Sequence, residues 1–149
     1  MLGEHLCLGI SKLMINEDVD IRVRYQETDQ MGIVYHANYF TWFETARIEL
    51  LDRISCPYRD LEHAGFLLPV LTCEAKFIKP AHFDDRLCVR VSIKEFPIAR
   101  IKIHYEVYRN KEKLCTGSTT HAFVNENGKL VRPPAIFLES TKSRLSPEG

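Results

Sequence analysis

The chain has 149 residues, of which 45% are hydrophobic and 27% are charged. This length and composition are typical of one globular domain and exclude a disordered chain, a collagen and a coiled coil. Twenty Lys and Arg balance twenty Asp and Glu, so no overall positive field exists to hold nucleic acid or an anionic membrane. No apolar run approaches the ~20 residues of a membrane-spanning helix, which predicts a soluble protein.

The first 18 residues are predicted to be an extension that precedes a single domain of residues 19–149. Glu4 comes before any basic residue and Lys12 interrupts the weak apolar stretch, so the segment is a poor secretory signal. Met14 is an alternative start of translation. The five cysteines are scattered, without a C-x-x-C pair or a zinc-like histidine spacing. We therefore expect a reducing cytoplasm and no metal.

Alternation of apolar and polar residues with period two predicts five strands. The first begins at Val19, and four more follow between Val70 and Val124. Turn-rich segments separate the last four strands at residues 80–85, 96–99 and 110–112. Hairpins at these segments would make the four strands an antiparallel meander. The tail from Pro133 to Leu145 is expected to hold a short helix.

The stretch from Asn38 to Arg53 contains no Gly or Pro and is the one strong helix prediction. Its apolar residues go most of the way round, which indicates a buried helix. Glu44 and Arg47 are spaced so that their side chains can pair, as are Glu49 and Arg53. The simplest role for both pairs is structural.

One strand, one buried helix and four further strands predict an α+β fold in which a single curved sheet covers the helix with its apolar face. Such a chain leaves an open edge strand. Because proteins usually pair or cover such edges, we expect dimerisation by edge pairing.

The segment whose residues could carry out catalysis is an acidic turn that leads into the helix. Glu27, Asp29 and Gly32 lie on the turn, and the helix begins at about Asn38. The first N–H groups of a helix are unpaired and lie at its positive end, so they suit an oxyanion. An aspartate could attack a carbonyl carbon or deprotonate water, and one oxyanion donor is worth roughly 3 kcal/mol. A thioester would suit this equipment, because its thiolate leaving group, with a pKa of about 8.5, needs no strong general acid.

The residues from Tyr25 to Arg47 contain ETDQMGIVYHANY and then WFETAR. This stretch resembles the signature of hotdog-fold acyl-CoA thioesterases of the 4-hydroxybenzoyl-CoA thioesterase type, in particular the YbgC-like branch. The resemblance reaches about Arg132. It implies a hotdog fold with a five-stranded antiparallel sheet around one long central helix. It also implies a dimer with a continuous sheet, often paired into a tetramer, and hydrolysis of acyl-CoA to free acid and CoA without a cofactor.

By the same resemblance, Asp29 is the catalytic aspartate and the backbone N–H of His36 polarises the thioester carbonyl. Whether Asp29 acts as nucleophile or as general base stays open. The His36 ring could be a general base, could orient Asp29, or could be a pocket wall. Gly32 could serve the turn or the close approach of a ligand. Glu27 could be a second carboxylate or could stabilise the turn.

The expected substrate contacts lie around the helix start and at distant strand ends. Val34 and Tyr35 are expected to line the acyl pocket, and Asn38 is most simply an N-cap that could also touch the thioester. Arg100 and Arg132 are candidates for the CoA phosphates, although solvated surface charges would look the same. The turn before Arg100 lacks the basic cluster of the 4-hydroxybenzoyl-CoA enzyme, which leaves an acyl carrier protein as a possible acyl donor.

Two other functions fit the same fold. A hotdog enoyl-CoA hydratase or dehydratase needs a histidine paired with a carboxylate, which Asp29 and His36 could supply. A non-catalytic acyl-CoA-binding module needs no such pair. Neither alternative fits the motif as well as the thioesterases do.

Overall fold

The computed structural model describes residues 15–97 and 99–145. The predicted extension up to residue 14, with its possible start at Met14, lies outside these residues. The elements in chain order are β1 (Ile15–Arg22), α1 (Asn38–Arg53), α2 (Tyr58–His63), β2 (Val70–Phe77), β3 (Arg86–Ile93), β4 (Arg100–Arg109), β5 (Glu112–Ala122) and α3 (Ala135–Leu145). The central helix and the helix in the tail are confirmed, whereas the short α2 was not predicted.

Strand β1 begins at Ile15 rather than at the predicted Val19, so the boundary drawn at residue 18 is wrong for residues 15–18. Ile15 pairs with Ile93 and is 1% exposed. Glu17 hid this start, because a charged residue interrupts the alternation at a position that shares its side of the strand with the buried Ile15 and Val19. Its carboxylate forms ion pairs with two arginines that come from distant parts of the chain, Arg53 and Arg144.

The five strands form one antiparallel sheet in the order β1-β3-β4-β5-β2. The predicted meander is confirmed for β3 to β5 but is wrong for β2, which pairs with β5 at the sheet edge. The segment between β2 and β3 is therefore a crossover and not a hairpin. The backbone of this crossover forms hydrogen bonds with other parts of the chain. The Ile78 N–H donates to the Leu114 carbonyl (2.8 Å), and the Ala81 carbonyl accepts the Val34 N–H (2.9 Å). These bonds hold the crossover beside β5 and beside the segment that leads into α1.

Helix α1 lies across the inner face of the sheet, with Phe43 at its centre. The Phe43 ring stacks on that of Tyr105, with a centroid distance of 4.2 Å, and is fully buried. The prediction of a buried helix is confirmed for most of its apolar residues, whereas the polar residues Thr41, Glu44 and Thr45 are exposed. Strand β2 is also uncovered along nearly its whole length. Within residues 15–97 and 99–145, no helix has the length and hydrophobicity needed to cross a bilayer.

Candidate active site

The segment before α1 folds back on itself as a tight hairpin. The Asp29 N–H donates to the Ile33 carbonyl (2.9 Å) and the Gly32 N–H donates to the Asp29 carbonyl (2.9 Å). Gly32 has φ +79°, and a Cβ placed on it would meet no atom within 4 Å. The turn therefore requires a left-handed residue, for which glycine is the least strained choice.

Asp29 is half-buried on this turn. Its Oδ1 accepts the N–H of Met31 at 2.8 Å, a side-chain turn that aspartate commonly makes. Among the hydrogen bonds of the described residues, none involves Oδ2. The carboxylate is thus held by one oxygen while the other is available.

Helix α1 begins without a side-chain cap, since its N-cap is Ala37 in a helical conformation. The predicted N-cap at Asn38 is wrong: Asn38 is the first helical residue, and its amide donates to the Glu27 carbonyl at 2.8 Å. The N–H of Asn38 donates to the carbonyl of Tyr35 and that of Tyr39 to His36. Within the described chain this leaves the N–H groups of His36 and Ala37 without a backbone partner.

The side chains around the helix start form an exposed aromatic surface. The rings of Tyr35 and His36 have centroids 4.4 Å apart, and the His36 ring lies 6.2 Å from that of Phe77 in β2. Val34, which precedes them in the chain, is buried. Among the described ion pairs and hydrogen bonds none joins His36 to Asp29, so the histidine–carboxylate pair of a hydratase is not formed within one chain.

Glu27 is 4% exposed and fastens the hairpin to α1. Its Oε1 accepts the N–H of Arg24 (2.7 Å) and its Oε2 accepts the indole N–H of Trp42 (2.9 Å). Its carbonyl accepts from the N–H of Tyr35 and from the Asn38 amide. Every acceptor of Glu27 is therefore used to position the loop, which favours the stabilising role over that of a second catalytic carboxylate.

We expect Glu27→Gln to lower the free energy of unfolding by about 2 kcal/mol, because one buried donor loses its acceptor when an amide NH₂ replaces a carboxylate oxygen. Urea unfolding followed by fluorescence of the single tryptophan, Trp42, measures this loss. Glu44→Gln is the matched control and should change stability by less than about 0.5 kcal/mol, since Glu44 is exposed. Equal stability of the two variants would contradict the fastening role of Glu27.

A buried polar network, which the sequence analysis missed, links α1 to β4 and β5. Arg47 Nη1 donates to the Tyr105 hydroxyl (3.1 Å), which contacts Thr119 Oγ1 (2.7 Å), which contacts His121 Nε2 (2.8 Å). His121 Nδ1 lies 3.4 Å from the Leu68 carbonyl. The predicted pair of Glu44 with Arg47 is absent from the described ion pairs, whereas that of Glu49 with Arg53 is present at 3.3 Å.

The pKa of His121 falls from 6.5 to about 4, because burial disfavours the charged ring and the Arg47 charge repels it. The unfolded chain therefore binds a proton between these pH values that the folded chain does not, and folding stability falls as the pH falls from 6.5 to 4. The full difference corresponds to about 3 kcal/mol.

We expect His121→Gln to flatten this part of the pH–stability curve, measured by urea unfolding at intervals from pH 7 to pH 4. The variant should be less stable than wild type at pH 7 but should lose less stability on acidification. His63→Gln, which changes an exposed histidine, should run parallel to wild type. A His121→Gln curve parallel to wild type would show that His121 does not control the acid limb.

Arg100 and Arg132 lie at the end of the sheet remote from Asp29. Arg132 lines a cleft of about 680 Å³, which also borders Ala122, the residue opposite Arg100. Along β4, Val107 lies seven residue positions from Arg100, a distance of about 23 Å. Val107 pairs with Cys115 of β5, which in turn pairs with Phe77 of β2. One chain therefore brings Asp29, Gly32, Val34, Tyr35, His36 and Asn38 together but not the two arginines.

The described residues contain no group of three or more His, Cys, Asp and Glu that could hold a metal ion.

Comparisons with known proteins support the predicted resemblance. The family model of the thioesterase-like superfamily matches residues 23–144. YneP of Bacillus subtilis is 37% identical over 68% of this chain and 73% of its own length. The acyl-CoA thioesterase YbgC of Haemophilus influenzae is 32% identical over 83% and 89% of the two chains.

A solved structure extends the likeness to three dimensions. The DHNA-CoA thioesterase from Staphylococcus aureus superposes with a TM-score of 0.82 at 28% identity, covering 86% of this chain and 89% of that one. The predicted fold class, an antiparallel sheet around a central helix, is confirmed. The chain belongs to the thioesterase-like superfamily and has its hotdog fold.

Proposed function

We propose that this protein hydrolyses acyl-CoA thioesters to the free carboxylic acid and CoA. The observation that carries the proposal is the pair of N–H groups, those of His36 and Ala37, that have no backbone partner among the described residues and lie at the end of the hairpin that bears Asp29. The relative YbgC is named an acyl-CoA thioesterase and the S. aureus structure a DHNA-CoA thioesterase. Both names describe a chemistry that this arrangement suits.

In the proposed reaction the thioester carbonyl oxygen accepts the N–H of His36, at the positive end of α1. The Oδ2 of Asp29 either attacks the carbonyl carbon, giving a mixed anhydride that water then cleaves, or takes a proton from an attacking water. In both routes the C–S bond breaks, CoA leaves as a thiolate and water supplies an oxygen to the acid. No cofactor enters either route, and we propose that none is needed.

The acyl group and the pantetheine arm are proposed to contact the surface around the helix start. Tyr35 and Val34 would line the acyl pocket, while Asn38, whose amide has a second N–H, could reach the thioester or its water. Gly32 has no side chain and would therefore allow the ligand to approach the turn closely. The acyl donor is CoA in this proposal, and an acyl carrier protein remains the second candidate donor.

We propose that the site is completed in a homodimer through the exposed edge of β2. Leu71 is 41% exposed and Phe77 47% exposed, so the edge offers apolar surface as well as backbone groups that pair with no other strand of the described residues. Antiparallel pairing of two β2 strands puts the Phe77 end of one copy beside the Val70 end of the other. Val70 pairs with His121, next to Ala122 and hence near Arg100. The second copy would thus bring its Arg100 and Arg132 toward the CoA phosphates, and two dimers could pair as a tetramer.

A reducing compartment, the cytoplasm, is the proposed location. Cys56, Cys73, Cys88 and Cys115 are all free thiols among the described residues. Cysteines that are left unpaired are typical of proteins kept under reducing conditions.

The test is release of thiol from purified protein across a panel of acyl-CoA esters of increasing chain length, with sedimentation to give the oligomeric state. Steady release of CoA from at least one ester is expected. Absence of release from every ester, together with hydration of enoyl-CoA, would replace the proposal with the hydratase. Binding of acyl-CoA without any turnover would replace it with a binding module, and a stable monomer would reject the dimer.

A further inference from the structure

Helix α1 leaves the inner face of β2 exposed, and this exposed strip beside the helix is here called the β2 groove. Gly117 faces the Phe43 ring and pairs with Ala75, so the side of β2 that carries Ala75 is the inner one. That side also carries Leu71, Cys73 and Phe77, which are exposed. The groove starts at the candidate site, because Phe77 lies against the rings of His36 and Tyr39.

Arg47 lies toward the other end of this groove. It shares a helix face with Glu44 and Phe40, three and seven residues earlier. The Tyr105 hydroxyl that it contacts is bonded to Thr119, and Thr119 pairs with Cys73 on the inner face of β2. The guanidinium therefore lies over the strand next to β2.

The network behind Arg47 fixes the guanidinium in place. Tyr105, Thr119 and His121 are each at most 3% exposed. A consistent set of donors runs from Arg47 to the Tyr105 oxygen, from the Tyr105 O–H to Thr119, and from the Thr119 O–H to His121 Nε2. In this arrangement the proton of a neutral His121 lies on Nδ1 and is donated to the Leu68 carbonyl. A neutral His121 agrees with its lowered pKa.

The charge of Arg47 is not balanced within the described chain. Only one of its nitrogens has a hydrogen-bond partner there, and no carboxylate lies within ion-pair distance. By contrast, Arg53 on the same helix pairs with Glu17 and Glu49. A half-buried guanidinium without a counter-ion costs free energy, and its planar fork matches a carboxylate.

We infer that Arg47 binds a carboxylate at the far end of the acyl group, so that the preferred substrates are monothioesters of dicarboxylic acids. This inference rests on the proposed thioesterase function and names its substrate class. Arg47 lies eleven positions after His36, about 16 Å along the helix axis. Because the side chain leans toward the helix N-terminus, the guanidinium is nearer than this. An acyl chain of medium length fits better than a short one.

The experiment compares suberoyl-CoA with octanoyl-CoA, which have the same chain length and differ in a terminal carboxylate. Wild type should have the higher kcat/KM for suberoyl-CoA. Arg47→Met should lower kcat/KM for suberoyl-CoA by about 10-fold to 100-fold, the usual worth of a charged hydrogen bond, and should change that for octanoyl-CoA by less than about threefold. Arg47→Lys should fall between wild type and Arg47→Met, because lysine retains the charge without the fork.

Two further variants keep the test decisive. Tyr105→Phe removes the hydroxyl that holds Arg47 and should reduce the preference for suberoyl-CoA without removing it. Arg53→Met, on the same helix, should leave the preference unchanged. Turnover of octanoyl-CoA with no preference for suberoyl-CoA in wild type would overturn the inference. Equal losses for both esters in Arg47→Met, or dissociation of the dimer, would also overturn it. No thiol release from any ester would instead reject the thioesterase function itself.

Discussion

Asp29→Asn is expected to lower kcat for thioester hydrolysis by at least about 10³-fold, the size of effect seen when a group that acts on the reacting carbon is removed. The asparagine oxygen can still accept the Met31 N–H that Oδ1 now accepts at 2.8 Å, so the turn should keep its shape. What is lost is the second carboxylate oxygen. The amide NH₂ group that replaces it is neither a nucleophile nor a base. Activity should therefore fall without loss of fold.

The measurement combines thiol release with urea unfolding of the same preparations. The free energy of unfolding of Asp29→Asn should lie within about 0.5 kcal/mol of wild type. Asp52→Asn, which changes an exposed aspartate on α1, should keep kcat within about twofold. Full turnover by Asp29→Asn would remove Asp29 from the proposed chemistry. A large fall in both activity and stability would show that the aspartate is needed for the turn instead.

Features that depend on neighbours in the chain were predictable from the sequence. Helix α1 has the predicted bounds because a stretch of residues 38–53 without Gly or Pro favours a helix locally. The Asp29 turn and its glycine were recognised for the same reason, since turn geometry is set over four residues. Strands β3 and β4 alternate clearly because each has one face on the core.

Features that depend on distant residues were not predictable. Alternation in β2 looks the same whether the strand lies in the middle of a sheet or at its edge, so its pairing with β5 could not be read. Asn38 was expected to cap the helix, but the hairpin brings the Glu27 carbonyl to its amide. The network of Arg47, Tyr105, Thr119 and His121 joins parts of the chain that meet only after folding. The one indication of this network in the sequence was the presence of two polar residues, Thr119 and His121, at inward positions of β5.

Gly117 in β5 lies directly against the Phe43 ring of α1, so Gly117→Ala should be strongly destabilising. A Cβ there would lie 2.5 Å from Cε2 of Phe43 and 2.8 Å from the Glu74 carbonyl. Neither neighbour can yield easily, because Phe43 stacks on Tyr105 and the carbonyl belongs to the paired strand β2. We expect a loss of about 3 kcal/mol in the free energy of unfolding, at the upper end for one added methyl in a packed core.

A double-mutant cycle with Phe43→Leu locates the clash. Phe43→Leu alone should lower the free energy of unfolding by about 1 kcal/mol or more, because it leaves a space in the core. In the Gly117→Ala background the same change should cost less or restore stability, because leucine leaves free the position that the added methyl group needs. Gly128→Ala is the control: its φ of +78° imposes backbone strain, no atom lies within 4 Å, and Phe43→Leu should not rescue it. Additive losses for Gly117→Ala and Phe43→Leu would contradict the packing argument.

Because His36 and Tyr39 meet Phe77 at the end of the same helix–sheet contact, Gly117→Ala should also lower thioester hydrolysis, and Phe43→Leu should recover both properties together.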